Sequence, residues 1–476
     1  STKNSKIFKS SKEAIHDVKK GASILTGGFG LCGIPENLIR ALTEKSEEAK
    51  DLHIISSNGG TEYGGIGLLM KKGQVKRLTS SYVGENKILE DLYLSGQMEL
   101  NITSQGTLAE KIRAGGADIP AFYTRTGVGT LIQEGGYNIK YDEHGNSEVL
   151  SQEKPTAIFN GKEYALEESI TADFAFVKAY KADTEGNLVF RKTARNFNKD
   201  MATAGKITIV EAEEIVEAGQ IEPDQIHCPG IFVQRIVKGE RYDRIIEKQR
   251  DLENIKKSDE RKARIARRAA EELDNGMYVN LGLGIPTLIT DYLSKDKKVV
   301  FHTENGMLGV GPYPEKGKED PDLISAIKEP VTEMPGCSFL SSSDSFGMVR
   351  GNNLDLTILG AFQVSEDGDF ANWVIPGKRV KGMGGAMDLI STDGKVIVAM
   401  EHIANGNELK ILKKCSYPLT GKGCISMIIT DIAVFKIDPL DGLILTDLFK
   451  GVSLDDVKRN TGCTFKEAHN IRILDY

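Results

Sequence analysis

The fold is decided by a stretch of sequence that occurs twice. The first copy reads Gly21-Ala-Ser-Ile-Leu-Thr-Gly-Gly-Phe-Gly-Leu-Cys-Gly-Ile-Pro35, and the second reads Gly276-Met-Tyr-Val-Asn-Leu-Gly-Leu-Gly-Ile-Pro286. In each copy a short apolar run enters a glycine-rich loop, and a helical pattern follows at 36–42 or at 287–293. This order is typical of a strand, a tight turn and a helix. It indicates one α/β unit used twice.

Further landmarks follow both copies in the same order. Asp173-Phe-Ala-Phe-Val-Lys-Ala-Tyr runs on to Gly186-Asn187, and Asp355-Leu-Thr-Ile-Leu-Gly-Ala-Phe runs on to Gly368-Asp369. Apolar runs ending in glutamate come next, Ile207-Thr-Ile-Val-Glu211 and Ile397-Val-Ala-Met-Glu401. The β-branched runs 23–26, 52–56, 299–303 and 396–399 are too short for buried helices and suit parallel strands. We therefore predict an α/β fold with two tandem, internally duplicated open domains, each with a mostly parallel central sheet.

The length of the chain, 476 residues, suits two domains rather than one core. Residues 244–264 are almost wholly charged and resemble an exposed linker that merges into a helix. We predict an N-terminal domain at 1–245, a linker at 246–263 and a C-terminal domain at 264–476. The alternative is that the charged run is a solvated helix inside one domain.

Composition narrows the classes of partner. A formal net charge of -7 leaves no basic surplus for broad nucleic-acid binding. The sequence has no apolar run near the roughly 18 residues that span a bilayer, so we expect no membrane partner. The six cysteines form no CxxC pair and no histidine stands at metal-ligand spacing, which argues against a metal site or a disulfide framework. The first residues, Ser-Thr-Lys-Asn, leave open whether a targeting segment was removed.

One carboxylate stands where ligands bind in open α/β sheets. The apolar run 299–303 ends in Thr303-Glu-Asn-Gly306. This places Glu304 at the carboxyl end of a predicted parallel strand, and Gly306 permits an abrupt turn. The alternative is an ordinary turn glutamate that faces water. His302, on the opposite side of the strand, is predicted to be a packed core residue.

Glycine-rich segments offer candidate anion sites. A strand-to-helix junction presents backbone N–H groups and the positive end of a helix dipole. Neither copy has GxGxxG spacing, which disfavours a dehydrogenase. A third segment, 372–388, holds three basic residues followed by Gly382-Met-Gly-Gly-Ala-Met-Asp388, and its glycines permit the close backbone approach of an oxyanion hole. Its basic residues could equally be solvated.

Together these motifs carry a resemblance. Thr303-Glu-Asn-Gly306 with Gly309-Val-Gly-Pro-Tyr-Pro314, the first glycine loop and Gly382-Met-Gly-Gly-Ala-Met-Asp388 resemble the class I coenzyme A transferases. Further segments agree at 80–86, 105–110, 113–116, 120–123, 133–136, 371–373, 400–402 and 418–422. Thr303 stands where serine is usual in that family, and it keeps the hydroxyl. The N-terminal domain accordingly resembles the α-type coenzyme A transferase domain, and the C-terminal domain resembles the β-type.

The resemblance implies a reaction and its residues. We expect ping-pong transfer of coenzyme A from succinyl-CoA to a 3-oxo acid, acetoacetate, through a glutamyl-CoA thioester on Glu304. Gln105 and Asn280 fall on positions linked to substrate contacts, and Gly385 on an oxyanion contact; the N–H groups near Gly284 are a further oxyanion candidate. Coenzyme A contacts are expected at Gly28, Gly30, Lys378, Lys381 and Gly384.

The chemistry needs no cofactor or metal, because each step exchanges one acyl derivative for another and coenzyme A is substrate and transient adduct. The resemblance further implies a homodimer in the mitochondrial matrix that works in ketone-body use. An acyl-CoA hydrolase or an acetate or butyrate CoA transferase on the same fold is the alternative. A non-catalytic sensor that binds sugar phosphates or nucleotides on the glycine loops is another.

Overall fold

A computed structural model describes residues 5–84, 86–249, 259–294, 296–376, 379–404 and 406–476, with the backbone alone of Arg379. The strands of the N-terminal half are β1 (Ile7–Phe8), β2 (Ser23–Thr26), β3 (Leu52–Ser56), β4 (Val75–Ser80), β5 (Glu99–Ile102), β6 (Ala121–Thr124), β7 (Asn138–Tyr141), β8 (Ser147–Leu150), β9 (Thr156–Phe159), β10 (Lys162–Glu168), β11 (Ala172–Asp183), β12 (Leu188–Val189), β13 (Gly205–Val216) and β14 (Arg235–Lys238). Its helices are α1 (Ser11–Ala14), α2 (Glu36–Glu44), α3 (Gly67–Lys71), α4 (Lys87–Leu94), α5 (Gln105–Gly116), α6 (Leu131–Glu134) and α7 (Asn198–Ala204), with 3₁₀ turns at Lys192–Ala194, Pro223–Gln225 and Gly230–Phe232.

The C-terminal half continues the chain. Its strands are β15 (Tyr278–Leu281), β16 (Val300–Thr303), β17 (Met307–Val310), β18 (Glu333–Phe339), β19 (Leu356–Leu359), β20 (Gln363–Ser365), β21 (Phe370–Ala371), β22 (Val374–Ile375), β23 (Arg379–Val380), β24 (Lys395–Ala399), β25 (Ile411–Leu412), β26 (Met427–Ile429), β27 (Ala433–Asp438), β28 (Gly442–Phe449) and β29 (Lys466–Leu474). Its helices are α8 (Glu260–Ala270), a 3₁₀ helix at Ile285–Tyr292, α9 (Ser342–Arg350), α10 (Ala386–Ile390) and α11 (Leu454–Asn460).

Each half is built on one large sheet. Among the described residues, the N-terminal sheet has the order β1-β14-β13-β11-β2-β3-β4-β5, all parallel, with β12 antiparallel on β11. The C-terminal sheet has the order β18-β17-β16-β15-β19-β24-β26-β27-β28-β29. Its centre from β16 to β26 is parallel, while β17 and β27 pair antiparallel with both neighbours. The predicted α/β class with mostly parallel central sheets is confirmed.

The internal repeat predicted from the sequence is visible in the strand order. The landmark strands are arranged β13-β11-β2-β3 in the first sheet and β24-β19-β15-β16 in the second. The predicted strands at 23–26 and 52–56 agree with β2 and β3, and those at 299–303 and 396–399 differ from β16 and β24 by one residue. The helical pattern predicted at 287–293 is a 3₁₀ helix that begins two residues earlier, at Ile285.

Two predictions fall wholly or partly outside the described residues. The predicted linker, 246–263, includes 250–258, which lie outside them, and α8 begins at Glu260. Lys378 lies outside them too. Within the described ranges no helix is long and apolar enough to cross a bilayer, and no group of three or more histidine, cysteine, aspartate or glutamate side chains is arranged to hold a metal ion.

The two halves meet at their helices and loops rather than at their sheets. Helix α5 of the first half lies so close to α9 and α10 of the second that a Cβ at Gly106 would stand 2.5 Å from Phe346 Cδ1. Asp200 accepts hydrogen bonds from the hydroxyl (2.9 Å) and backbone N–H (3.2 Å) of Ser343, at the start of α9. This junction brings residues from both halves to one site.

Candidate active site

Glu304 occupies the turn between β16 and β17, at the tip of a central strand. Gly306 closes the turn with φ +103, and a Cβ there would lie 2.2 Å from Leu340 O, so the turn requires glycine. Asn305 is fully buried, and its amide donates to Ile324 O at 2.8 Å. The Thr303 hydroxyl bonds to the Asn305 side chain. The turn is therefore fixed on both sides of Glu304.

His302 and Asn280 fix β16 to its neighbours through buried hydrogen bonds. Asn280 Nδ2 lies 3.1 Å from His302 Nδ1, and His302 Nε2 lies 2.8 Å from Ser345 Oγ. Burial lowers the pKa of His302 to about 4, so the imidazole is neutral near pH 7. The structure places His302 in the core, as predicted. Asn280 also lines the cavity in front of Glu304.

The N-terminal half contributes a side-chain donor to the carboxylate. Gln105 is the first residue of α5, and its Nε2 donates to Glu304 Oε1 at 3.3 Å. The Ser81 hydroxyl donates to Gln105 Oε1 at 2.6 Å, which orients the amide so that its NH₂ group faces Glu304. Gln105 is 2 % exposed, so this contact is shielded from competing water.

The glycine loop of the C-terminal half closes on the other carboxylate oxygen. Gly384 accepts a hydrogen bond from the Gln105 N–H (2.8 Å) and donates to Ser81 O (3.1 Å), which fixes the loop against the first half. A Cβ at Gly385 would lie only 1.9 Å from Glu304 Oε2. The Gly385 N–H donates to the carboxylate. A backbone donor at this place can equally stabilise an oxyanion that develops on an acyl group attached to Glu304.

Asp388, at the end of the same segment, links the two groups that donate to Glu304, the Gln105 amide and the Gly385 N–H. Its carboxylate is fully buried and accepts hydrogen bonds from Ser104 Oγ (2.5 Å), Gly106 N (2.8 Å) and Thr126 Oγ1 (3.2 Å). An anion at the first turn of α5 suits the unpaired N–H groups and dipole of that helix. Asp388 therefore fixes Gln105, on α5, relative to Gly385, three residues before it.

Burial raises the pKa of Glu304 to about 8, with a further increase from the charge of Asp388 and an opposing effect of the hydrogen bond from the Gly385 N–H. A carboxylate that is poorly solvated is a stronger nucleophile than one in water, because less hydration must be removed before it attacks. The same environment makes its ionisation incomplete at neutral pH.

A pH profile follows from that pKa. Only the ionised carboxylate attacks an acyl group, so kcat/KM should rise about tenfold per pH unit up to about pH 8 and level above it. Initial rates from pH 6 to 9.5, corrected for non-enzymatic thioester hydrolysis, measure this profile. A flat profile between pH 6 and 8 would contradict the assigned environment of Glu304.

Replacing Asp388 with asparagine tests its positioning role. The change keeps the shape, removes one charge and leaves the hydroxyls of Ser104 and Thr126 with a poorer acceptor. We expect kcat/KM to fall about 10- to 100-fold, from loosened donors. We also expect the midpoint of the pH profile to move to lower pH, because the charge that raises the pKa of Glu304 is gone. The exposed Asp393→Asn variant should match the parent; an unshifted midpoint in Asp388→Asn would contradict the role.

The carboxylate opens into a cavity of about 360 Å³ between the two halves. Six predicted site residues line it: Gln105, Asn280, Glu304, Lys381, Gly384 and Gly385. Gly284 does not, although its neighbours Leu283 and Ile285 do; it caps the 3₁₀ helix with φ +85. Most of the remaining lining is apolar or backbone, which limits the water that reaches Glu304.

Gly28 and Gly30 lie beside the cavity and do not line it. Phe29, which stands between them in the chain, does line it. Gly28 O accepts a hydrogen bond from Ser57 Oγ at 2.9 Å. Gly30, with φ +59, leaves room for Glu247, because a Cβ there would lie 2.2 Å from Glu247 Oε1. Cys32 in the same loop is buried, and burial raises the pKa of its thiol to about 12, which fits a packing role.

Sequence reasoning gives no role to Ser81, Ser104, Asp388 and Lys328. Ser81 and Asp388 belong to motifs that carry the family resemblance, so motif membership is an available signal for both. Ser104 could be found as the residue before a helix that starts at Gln105, since serine is a favoured N-cap. Nothing local marks Lys328, which reaches the cavity from the loop between β17 and β18.

Comparison with known proteins agrees with this architecture. A family model described as Coenzyme A transferase matches residues 8–239 and 262–460. The chain is similar in fold to the acyl-CoA transferase YdiF of Escherichia coli O157:H7, with a TM-score of 0.80 and 22% identity over 99% of this chain and 95% of that one. The chain belongs to the coenzyme A transferase family, and it is an enzyme of that class.

Within the family, the chain is 51% identical over 473 residues to the mitochondrial succinyl-CoA:3-ketoacid coenzyme A transferase 2A of Rattus norvegicus, covering 98% of this chain and 91% of that protein. It is 50% identical over 473 residues to the mitochondrial succinyl-CoA:3-ketoacid coenzyme A transferase 2 of Homo sapiens, with the same coverage. One subunit of a probable succinyl-CoA:3-ketoacid coenzyme A transferase of Bacillus subtilis is 53% identical over 51% of this chain and 94% of its own length. Half of this chain thus matches a separate bacterial polypeptide.

Proposed function

We propose that this enzyme transfers coenzyme A from succinyl-CoA to a 3-oxo acid, acetoacetate, by ping-pong chemistry through a thioester on Glu304. One observation carries the proposal. The Glu304 carboxylate, at a strand tip, is contacted by the Gln105 amide of one half and the Gly385 N–H of the other, and it faces a largely apolar cavity. The names of the similar proteins support the choice of substrates.

The first half-reaction loads the enzyme. A Glu304 carboxylate oxygen attacks the thioester carbon of succinyl-CoA, the C–S bond breaks, and a mixed anhydride and coenzyme A thiolate result. The thiolate then attacks Cδ of Glu304, and succinate leaves with the bridging oxygen. The Gly385 N–H, with Gln105 on the other side, can stabilise the negative charge on the tetrahedral oxygen in these steps.

The second half-reaction runs the same steps in reverse with the acceptor. A carboxylate oxygen of the 3-oxo acid attacks the Glu304 thioester carbon, thiolate leaves, and thiolate then attacks the acceptor carbonyl of the new anhydride. Glu304 is released as a carboxylate. No net proton or electron is transferred, because every step converts one acyl derivative into another. The apolar lining of the cavity protects the thioester from hydrolysis in between.

Further assignments belong to this proposal. We place coenzyme A along the glycine loop at Lys381 and Gly384, which line the cavity, with Asn280 and Gly385 at the reacting acyl group. Gly28, Gly30 and Lys378 remain further proposed contacts of coenzyme A, and the N–H groups near Gly284 remain a second oxyanion candidate; Lys378 lies outside the described residues. The mitochondrial relatives support a place in mitochondria, which we take to be the matrix, and we propose that two copies form a homodimer. Light scattering tests the homodimer.

Two kinetic measurements test the function. Initial rates with varied succinyl-CoA and acetoacetate should give parallel double-reciprocal lines. In the absence of acceptor, labelled succinate should exchange into succinyl-CoA at a rate comparable to turnover. Transfer without exchange would contradict the covalent route. Release of coenzyme A without acceptor, at the rate of transfer, would instead make the enzyme a hydrolase.

A further inference from the structure

Lys328 presents a shielded positive charge to the cavity that contains Glu304. It lies in the loop between β17 and β18 and lines the same 360 Å³ cavity. Its ammonium lies 2.6 Å from Glu247 Oε2, and the two side chains are only 13% and 11% exposed. Lys328 has φ +68, a left-handed conformation that a lysine adopts only at a cost. Such conformations concentrate where a side chain must be held in a particular place.

The loop that carries Lys328 is fixed relative to the nucleophile. Arg191 of the N-terminal half pairs with both carboxylate oxygens of Asp320, each at 2.7 Å. The Ile324 N–H donates to Thr193 Oγ1 at 3.0 Å, and Ile324 O accepts from Asn305, the neighbour of Glu304, at 2.8 Å. Lys328 therefore stands at a defined position relative to Glu304.

The partner of Lys328 is an incompletely satisfied carboxylate. Glu247 comes from the segment that joins the two halves, and its second oxygen, Oε1, is buried without a hydrogen-bond partner among the described residues. That oxygen faces Gly30, the position at which a side chain would displace it. A buried acceptor without a donor costs free energy, so this ion pair is less favourable than a fully hydrogen-bonded one.

We propose that Lys328 binds the second carboxylate of a dicarboxylic acyl donor, and that Glu247 occupies that place in the free enzyme. The inference rests on the proposed function and names the residue that recognises the succinyl group. Glu247 shows that the subsite accepts a carboxylate. A buried lysine needs an anion at all times, and the two carboxylates satisfy this need in turn.

The other cavity lysines suit this role less well. Burial lowers the pKa of the Lys410 ammonium to about 8; Glu401 and Asp431 partly oppose this decrease, and their charges compete with an incoming carboxylate. Lys381 lies on the glycine loop, where we place coenzyme A. A monocarboxylic 3-oxo acid has no second carboxylate to exchange with Glu247. Lys328 should therefore distinguish the two halves of the reaction.

The test compares two half-reactions by rapid quench. Formation of the Glu304 adduct is measured with succinyl-CoA and, separately, with acetoacetyl-CoA. In Lys328→Met we expect the second-order rate constant with succinyl-CoA to fall about 10- to 100-fold, the range for a lost charge-assisted hydrogen bond. With acetoacetyl-CoA it should change less than about threefold. The double variant Glu247→Gln/Lys328→Met, which leaves no unpaired buried carboxylate, should show the same selectivity.

Glu247→Gln alone should improve the reaction of the dicarboxylic substrate, whereas Lys328→Met should impair it. Removing the competing carboxylate should lower the KM for succinate as acceptor several-fold and leave that for acetoacetate unchanged. Lys248→Met, which removes an exposed charge next to Glu247, serves as the matched control and should leave the ratio of the half-reactions unaltered.

Equal losses in both half-reactions for the double variant would show that the ion pair is structural and would overturn the inference, as would no loss in either. These outcomes are distinct from a failure of the proposed function. In that case the parent enzyme itself would form no adduct with succinyl-CoA.

Discussion

Replacing Glu304 with glutamine is expected to lower kcat for transfer at least about 10⁴-fold. A neutral amide at that position cannot form the anhydride or the thioester, and nucleophile removal in covalent enzymes has effects of this size. Glutamine keeps the size of the side chain between Gln105 and Gly385. Steady-state assay of succinyl-CoA consumption with acetoacetate measures the loss. Residual activity within tenfold of the parent would contradict the assignment.

The stability of Glu304→Gln gives a second, independent test of the environment of Glu304 and shows whether the variant is folded. The folded-state pKa of Glu304, about 8, lies above its unfolded value near 4.5, so the folded protein binds the proton more tightly. Between these values the free energy of unfolding decreases as pH rises, and the loss is complete above about pH 8. Glutamine carries no charge, so Glu304→Gln should be more stable than the parent by roughly 4 kcal/mol at pH 8. The difference should vanish near pH 4.5, which thermal unfolding at both pH values can measure.

Replacing Gly385 with alanine is expected to lower kcat about 10²- to 10³-fold, as the loss of one oxyanion donor does. The added Cβ would lie 1.9 Å from Glu304 Oε2 and 2.8 Å from Phe346 Cζ. Either the Glu304 carboxylate or the glycine loop must therefore move, and the N–H of residue 385 no longer points at the carboxylate. Gly385 has φ -91, which alanine adopts readily, so the effect comes from this contact and not from backbone strain.

Gly347→Ala is the matched control for Gly385→Ala. Gly347 lies within α9, on the same side of the junction, and a Cβ there would meet no atom within 4 Å. This variant should keep parental kcat and gain slightly in stability, because alanine favours the helix. If Gly385→Ala were as active as Gly347→Ala, Gly385 would have no part in the transition state.

The sequence predicts the strands well because each is a local run of apolar residues. Residues 23–26 and 52–56 are β2 and β3, buried among helices as their composition indicates. The helical pattern at 287–293 is less reliable, since a proline at 286 and a preceding glycine favour a tighter turn at the start, and the structure has a 3₁₀ helix there.

The site is only partly accessible from sequence, because it is assembled between the halves. Glu304 is accessible, since its motif ends a strand. Motif membership points to Asp388 as well, but its positioning role is not accessible, because that role depends on Ser104 and Gly106, more than 280 residues away. Gly30 is a second example. Its glycine-rich loop predicts an anion site for a ligand, but in the structure the space beside Gly30 is occupied by the side chain of Glu247. Contacts of this kind depend on packing between distant segments, which local patterns do not encode.

The most direct test of covalent transfer is mass spectrometry of the protein after brief exposure to succinyl-CoA without acceptor. The account predicts an adduct of the mass of coenzyme A, less water, on the peptide that contains Glu304. The adduct should be absent in Glu304→Gln and should be discharged by acetoacetate. An unmodified Glu304 peptide in an enzyme that still turns over would contradict the account.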